Sequence, residues 1–237
     1  LVDVHVHYRD PGQTYKEDIR TGSEAAARGG FTTVGAMPNV TPVPNTPELM
    51  EKMVEENKEK GVVHIFQYGP ITNDETTDVI PDYAALKKAG AFALSNDGHG
   101  VQTAQTMYLA MQKAKENNLI VATHAQDDSL FNHGTVNAGK TAERLNLPPV
   151  STKTSVELVR MAKARGINVT CEVAPHHILL TGDDIPKDNG YFKMNPPLRT
   201  KEDQAALLVG LLDGTIDLIA TDHAPHAKKE KQGGMKG

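Results

Sequence analysis

Two histidines near the start of the chain have the spacing of metal ligands. His5 and His7 lie at the end of an apolar, β-branched run that predicts a buried strand. Side chains two positions apart on a strand point to the same face, so both imidazoles converge where the strand gives way to a loop. Two neighbouring ligands of one metal ion are presented in this way. The alternative is a pair of structural histidines packed at the polar end of a strand.

Residues that could bind a metal or a polar substrate follow most of the other predicted strands too. The set consists of His5, His7, Asn39, Asp97, His124, Asp222, His223 and His226. In an α/β barrel, the active site is assembled at the carboxyl ends of the strands. Imidazole and carboxylate groups suit Zn²⁺ or a similar ion, and one aspartate can bridge two ions by giving an oxygen to each.

The elements that must position these residues alternate between strand and helix, which predicts parallel βα units and an α/β fold. We predict seven strands, at 1–7, 31–37, 62–68, 91–97, 119–124, 167–174 and 217–222. The predicted helices span 17–28, 46–61, 82–90, 103–118, 135–146, 151–165 and 201–212. Eight such units close a (β/α)8 TIM barrel.

One helix-strand unit is missing from this pattern near Pro149. The predicted helices 135–146 and 151–165 follow one another with no predicted strand between them. A right-handed parallel crossover requires a strand at that place. Either the fold is a seven-strand variant, or the sequence lacks a helix and a strand there.

Length and composition limit the class of protein. The 237 residues, 38% of them hydrophobic, predict one domain over 1–237. The 25 basic and 30 acidic residues are interspersed, which argues against a nucleic-acid groove or a membrane surface. No stretch approaches the ~18 apolar residues of a membrane span. The single cysteine, Cys171, excludes a disulfide framework and favours a cytoplasmic location.

The two ends of the sequence also lead to an expectation. The chain has no starting methionine and no signal peptide, it begins inside a predicted strand, and it stops in a Gly-rich loop. We therefore expect a partial barrel that lacks both flanking terminal parts.

Six short segments carry a family resemblance. They are His5-Val-His7-Tyr-Arg9-Asp-Pro-Gly12, Met37-Pro-Asn39, Ser95-Asn-Asp97-Gly98, Ala174-Pro-His-His177, Asn195-Pro-Pro-Leu-Arg199 and Ala220-Thr-Asp-His-Ala-Pro-His226. Together they resemble the bacterial class I dihydroorotases of the amidohydrolase superfamily. The resemblance runs along the whole sequence. The last two segments are specific to this family, whereas the opening His-x-His is shared across the superfamily.

The resemblance implies a zinc-dependent enzyme that interconverts N-carbamoyl-L-aspartate and L-dihydroorotate in pyrimidine biosynthesis. It implies two zinc ions with the ligands His5, His7, Asp97, His124 and Asp222. Asp97 resembles the bridging aspartate, and Asp222 resembles the general acid/base. The residues implied to contact the small-molecule substrate are Arg9, Asn39, Asn195 and His226. Two assemblies are left open, a homodimer and a complex with aspartate carbamoyltransferase.

The chain departs from the family pattern at one ligand. Family members have a histidine before the Val-Ser-Thr-Lys segment, where this chain has Pro149. One alternative is a related cyclic amidase, a hydantoinase or an allantoinase, although Asp97 in place of the lysine of those relatives argues against it. Another is a non-catalytic dihydroorotase-like scaffold for aspartate carbamoyltransferase. His176 and His177 match no family ligand, and we assign them a role in structure or in the surroundings of the metal ligands.

Overall fold

The computed structural model describes residues 1–126, 135–137, 140–145, 149–150 and 155–235. Residue contacts group the chain into two compact units. The first comprises Leu1–Asp127 with Asp222–His226, and the second comprises Asp128–Thr221 with Ala227–Gly237. The prediction of one domain over 1–237 is not tested by this grouping and stays a prediction.

The first unit is built on a parallel sheet of five strands in the order β1-β2-β3-β4-β5. Its strands are β1 (Val2–Val6), β2 (Thr33–Ala36), β3 (His64–Pro70), β4 (Ala91–Ser95) and β5 (Ile120–Ala122). The connecting helices are α1 (Ile19–Arg28), α2 (Pro47–Lys60), α3 (Tyr83–Lys88) and α4 (Ala104–Glu116). Because all neighbouring pairs are parallel, the carboxyl ends of the five strands lie along one edge of the sheet.

Side-chain caps begin the helices of this unit at the positions that the sequence indicates. The Asp18 carboxylate accepts from the Thr21 backbone N–H at the start of α1, at 2.8 Å. The hydroxyl of Thr103 does the same for the Thr106 N–H of α4, at 3.1 Å. Such caps satisfy backbone donors that have no partner within the helix, and each stabilises its helix by about 1 kcal/mol.

A buried pair of amides connects α2 to the sheet. Asn57 Nδ2 donates to Gln67 Oε1 at 3.0 Å, and Gln67 Nε2 donates to the backbone oxygen of Ala36 at 3.1 Å. Both side chains are almost wholly buried, at 3% and 1% exposure. The apolar residues Val6, Ile19 and Val34 fill a neighbouring core cluster. These contacts fix the sheet from which the functional residues project.

The second unit contains two short parallel pairs. Strand β6 (Val136–Asn137) pairs with β7 (Pro149–Val150), and β8 (Glu172–Val173) pairs with β9 (Leu218–Ile219). Its helices are α5 (Lys140–Leu145), α6 (Ser155–Ala164), α7 (Pro175–Leu179) and α8 (Lys201–Leu212), with 3-10 turns at Gly182–Asp184, Gly190–Phe192 and Lys228–Lys231. Ile185, Leu198 and Met235 are wholly buried in its core.

Most predicted elements are confirmed, but the region around Pro149 is not. The predicted helix 135–146 is wrong in its first part, because β6 occupies 136–137 and α5 begins only at Lys140. The prediction of no strand between 146 and 151 is also wrong, since β7 lies at 149–150. Strands of two residues are too short to show a periodic pattern, and β-branched Val136 favours extended backbone. Nine strands occur in the described residues, against the seven predicted.

Two further observations concern helices in the described part of the chain. His176 and His177 lie on the short helix α7, which the sequence pattern did not predict. None of the helices described is both long enough and apolar enough to cross a membrane.

The buried amide pair makes a prediction about stability. Asn57→Ala should leave the Gln67 oxygen buried without its donor and lower the free energy of unfolding by about 1–3 kcal/mol. Urea unfolding measures this change. Glu55→Ala, an exposed substitution on the same helix, should change stability by less than about 0.5 kcal/mol. Equal unfolding midpoints for the two variants would contradict the assigned role of the pair.

Candidate metal centre

The two predicted histidine ligands converge as the strand geometry requires. His5 is the fourth residue of β1, and His7 directly follows the strand. Both side chains are buried, and their Nε2 atoms lie 3.2 Å apart. The period of two along a strand therefore places both imidazoles on one side, as predicted.

Two carboxylates approach the same pair of imidazole nitrogens. Asp97, in the loop after β4, places its Oδ1 3.3 Å from His5 Nε2 and its Oδ2 3.1 Å from His7 Nε2. Asp222 Oδ1 lies 3.5 Å from His5 Nε2 and 3.3 Å from His7 Nε2. The ligand atoms of His5, His7 and Asp97 all lie within 4.8 Å of one another.

These spacings suit a metal ion. Nitrogen and oxygen ligands bind Zn²⁺ at about 2.0–2.2 Å in tetrahedral geometry, so two ligands of one ion stand roughly 3.3–3.6 Å apart. The four carboxylate-to-imidazole distances, 3.1–3.5 Å, fall close to that spacing. The donor set, two imidazoles and two carboxylates, is also the chemistry that Zn²⁺ and similar ions prefer. The cluster can therefore hold a metal ion.

The carboxylates and imidazoles of the cluster shift each other's pKa values toward the charged forms. Burial raises the pKa of Asp97, but hydrogen bonds with His124, His5 and His7 outweigh it and hold that pKa well below its usual range. Burial lowers the pKa of His7, and hydrogen bonds with Asp222 and Asp97 raise it by more. The cluster therefore contains a buried, ionised carboxylate, and this negative charge favours a positive charge on the imidazoles around it. A divalent cation would supply that charge in place of protons.

Asn39 and His124 complete the surroundings of the cluster. His7 Nδ1–H donates to Asn39 Oδ1 at 2.8 Å, which leaves His7 Nε2 to face the ligand position. Asn39 Nδ2 also lies 3.4 Å from the backbone oxygen of Asp97. His124 Nδ1 stands 3.6 Å from Asp97 Oδ1, and its Nε2 contacts Gln126 Oε1 at 3.0 Å. Asn39 orients a predicted ligand here, and its contact with substrate stays a prediction.

Three further residues are predicted to contact the substrate. Arg9 is buried, and its Nε donates to the backbone oxygen of Pro225 at 3.3 Å. His226 is exposed in the same unit. Asn195 is an exposed residue of the second unit. The roles of all three toward a substrate stay predictions, as do the metal roles of the individual ligands.

Sequence reasoning assigned no role to Asn96, which lies directly before Asp97. This residue is wholly buried, and its Oδ1 accepts from the backbone N–H groups of Ile71 and Thr72 at 2.9 and 3.1 Å. Its Nδ2 donates to Thr72 Oγ1 at 2.8 Å and to the Glu75 backbone oxygen at 3.2 Å. Asn96 therefore fastens the loop after β3 to the end of β4 that carries Asp97. Nothing in the local sequence indicates contacts this distant.

Glu75 is a second residue that the sequence did not single out. It has a left-handed backbone (φ 65°), is 3% exposed, and its Oε1 has no hydrogen-bond partner among the described residues. Burial, followed by the charges of Asp97 and Asp74, raises its pKa to about 8. Glu75 is therefore a neutral carboxylic acid at pH 7.

The cluster predicts the effect of removing its central carboxylate. Asp97→Ala should weaken zinc binding at least about tenfold, because three imidazoles lose the anion that they share. Elemental analysis after dialysis against limiting zinc measures the bound metal. Glu51→Ala, which removes the same charge at an exposed position of α2, is the control. Full zinc content in Asp97→Ala would refute a metal role for this carboxylate.

Glu75 makes a prediction about pH. Its pKa is higher in the folded protein than in the unfolded chain, where the ordinary value is 4.5. The folded protein is therefore destabilised relative to the unfolded chain as pH rises from about 4.5 to about 8. Glu75→Gln stays neutral throughout, so its advantage in unfolding free energy should grow over this range, to the order of 3 kcal/mol at pH 7. Urea unfolding with a chelator present measures it, and a pH-independent difference would contradict the assignment.

Comparison with known proteins places the chain in a family. A family profile described as Dihydro-orotase-like matches residues 1–173. The chain is 84% identical to a dihydroorotase from Lactobacillus acidophilus and 83% identical to one from Lactobacillus gasseri, in each case over all of this chain and 62% of the relative. The chain thus spans 62% of the length of these curated relatives. The first alignment runs over 265 positions although the chain has 237 residues, so the relative contains residues that this chain lacks.

A solved structure shows the same fold. The L-hydantoinase (dihydropyrimidinase) from Arthrobacter aurescens matches all of this chain and 60% of its own chain, with a TM-score of 0.82 and 22% identity. At that identity the likeness shows the fold alone. It confirms the expected α/β class with the parallel sheet of a TIM-barrel fold. By the profile match over 1–173 and the identity to its curated relatives, the chain belongs to the dihydroorotase-like family.

Proposed function

We propose that the protein is a dihydroorotase, a metal-dependent cyclic amide hydrolase that interconverts N-carbamoyl-L-aspartate and L-dihydroorotate in de novo pyrimidine biosynthesis. The observation that carries the proposal is the cluster of His5, His7, Asp97 and Asp222, with its contacts of 3.1–3.5 Å. It occurs in a chain that is 84% identical to a dihydroorotase.

The proposal includes two zinc ions. His5, His7 and Asp222 would hold one ion, Asp97 would bridge, and His124 would hold the second, since Asp97 Oδ1 lies near both His5 and His124. Zinc bound by these residues would act as a Lewis acid and would lower the pKa of a water molecule to about 7. Pro149 stands where family members have a further histidine ligand, so the second ion depends on His124 and Asp97 in this chain.

Asp222 is the proposed proton carrier. In the hydrolytic direction its carboxylate takes a proton from the attacking water and gives it to the ring nitrogen that leaves. In the synthetic direction it takes the proton from the carbamoyl nitrogen that closes the ring and gives it to the carboxyl oxygen that leaves as water. The side chain is 20% exposed, so a substrate can reach it, and its Oδ1 is held beside His5 and His7.

Arg9 is proposed to bind the carboxylate of the substrate. A guanidinium offers two parallel donors that match the two oxygens of a carboxylate. The bond from Arg9 Nε to the Pro225 backbone oxygen fixes the direction of the side chain. Asn39, His226 and Asn195 are proposed to complete the substrate contacts and fix its orientation.

Two other functions compete with the proposed dihydroorotase activity, and experiment can distinguish them from it. A hydantoinase or allantoinase has support from the fold shared with the Arthrobacter enzyme, and the aspartate at position 97 argues against it. A non-catalytic scaffold for aspartate carbamoyltransferase has support from Pro149, and the intact cluster argues against it. A cytoplasmic location belongs to the proposal as well, and the homodimer and the complex with aspartate carbamoyltransferase stay open predictions.

The test is turnover of both dihydroorotate and carbamoyl-aspartate by the complete protein, with and without a chelator. We expect chelator-sensitive turnover, and a loss of at least about 100-fold in Asp222→Ala because the proposed proton carrier is removed. Glu51→Ala should retain full activity. Urea unfolding checks that Asp222→Ala is folded, and an assay at saturating zinc separates loss of the proton carrier from loss of the metal.

Three outcomes would overturn the proposal or part of it. Turnover of hydantoin or allantoin in preference to dihydroorotate would favour the cyclic amidase. No turnover by protein that contains its zinc would favour the scaffold. A near-normal rate in Asp222→Ala would remove the proton-carrier role.

A further inference from the structure

The geometry points to Glu17 as a positioning residue for Asp222, acting through the side chain of His223. This inference rests on the proposed function, in which Asp222 carries the proton. Glu17 lies two residues before the start of α1, and its side chain is 11% exposed. Its Oε2 and Oε1 lie 2.9 and 3.0 Å from His223 Nε2. Because both oxygens are equally near, the imidazole N–H points between them.

The segment that carries Asp222 depends on such contacts for its position. Residues 222–226 contain no helix or strand, and β1 and its loop hold them. His7 N–H donates to the His223 backbone oxygen at 2.8 Å, and Arg9 Nε donates to the Pro225 oxygen at 3.3 Å. The pair between Glu17 and His223 adds a side-chain contact at the residue immediately after Asp222.

The contacts of His223 also hold the backbone of Asp222 in a strained conformation. Asp222 adopts a left-handed conformation (φ 51°), which is strained for a residue with a side chain. A strained residue keeps its conformation only where its neighbours hold it. His223, fixed by both its backbone oxygen and its ring, is that neighbour. Release of the ring should let Asp222 relax and turn its Oδ1 away from His5 and His7.

The surroundings of Glu17 hold the carboxylate in one place. A Cβ atom added to Gly22 would lie 2.7 Å from Glu17 Oε2 and would overlap the Tyr8 ring. The carboxylate therefore occupies space that exists because position 22 is a glycine. Burial, followed by the charge of Glu17, raises the pKa of Tyr8, which agrees with a carboxylate confined beside the ring. An anion with a fixed position can orient its partner, as partners of ligands do in metal sites.

The first experiment measures steady-state kinetics at saturating zinc in the complete protein. Glu17→Ala should lower kcat for dihydroorotate about 10–100-fold, the usual effect of losing such a partner, while KM changes less than about threefold. Glu17→Gln keeps an oxygen that accepts from His223 and should stay within about threefold of the unmodified protein. Glu24→Ala, an exposed change on α1, should have no effect.

A double-substitution cycle tests the route through His223. If Glu17 acts on Asp222 through this ring, Glu17→Ala combined with His223→Ala should be no slower than His223→Ala alone. Multiplying effects would overturn the inference. Equal losses of kcat in the Ala and Gln variants of Glu17 would also overturn it, because the oxygen that Gln keeps would then not position His223. A fall in urea stability with unchanged kcat would overturn it too, because it would indicate a role in folding only.

A readout independent of activity separates this inference from the proposed function. Asp222 contacts the same imidazole nitrogens as a bound ion would, so its displacement should weaken zinc binding about tenfold in Glu17→Ala and less than twofold in Glu17→Gln. Competition with a chromophoric chelator measures this affinity. If the unmodified protein does not turn over dihydroorotate, the proposed function fails, and zinc affinity alone decides. Unchanged affinity in Glu17→Ala would then overturn the positioning role.

Discussion

The buried carboxylate of Asp97 is the interaction on which the rest of the site depends. Removing an ionised carboxylate from water costs several kcal/mol, and this cost is offset only by close partners of positive or donor character. Here three imidazoles surround it, from His5, His7 and His124. Their convergence requires the ends of β1, β4 and β5 to lie at one edge of the sheet. The fold of the first unit is thus the condition for keeping this charge buried.

Two asparagines hold different parts of the cluster in place. Asn39 fixes the tautomer and ring direction of His7, and Asn96 fixes the strand end before Asp97. Neither residue needs to touch a substrate to matter, because a ligand atom displaced by an ångström no longer fits its ion. The metal-binding geometry is therefore a property of the five-stranded sheet and its loops together.

The sequence predicted the parts of this arrangement that follow from local rules. His5 and His7 share a strand, so their common face follows from the strand period alone. Asp97 and His124 follow β4 and β5, whose carboxyl ends the parallel five-stranded sheet aligns. Helix α8 was predicted to the residue, and Thr200 and Asp203 form a capping box at its start. In each case the controlling interaction lies within a few positions along the chain or follows from sheet topology.

The parts that the sequence did not predict depend on residues far apart in the chain. The contact between Glu17 and His223 joins positions 206 residues apart, and no periodic pattern encodes such a pair. The two-residue strands β6 and β7 were missed because tertiary contacts, and not a hydrophobic repeat, define them. Near Pro149, the residue types therefore predict the backbone conformation less well than the same residues would in a long strand.

The left-handed backbone at Arg9 and Asp222 and the neutral acid at Glu75 have one consequence for protein engineering. Each of these residues lowers stability at its own position, and two of them belong to the proposed chemistry. A library screened only for heat resistance would therefore enrich replacements at these positions first, and it would lose catalysis as it gained melting temperature. The residues that such a screen discards would outline the working part of the protein without any assay of its activity.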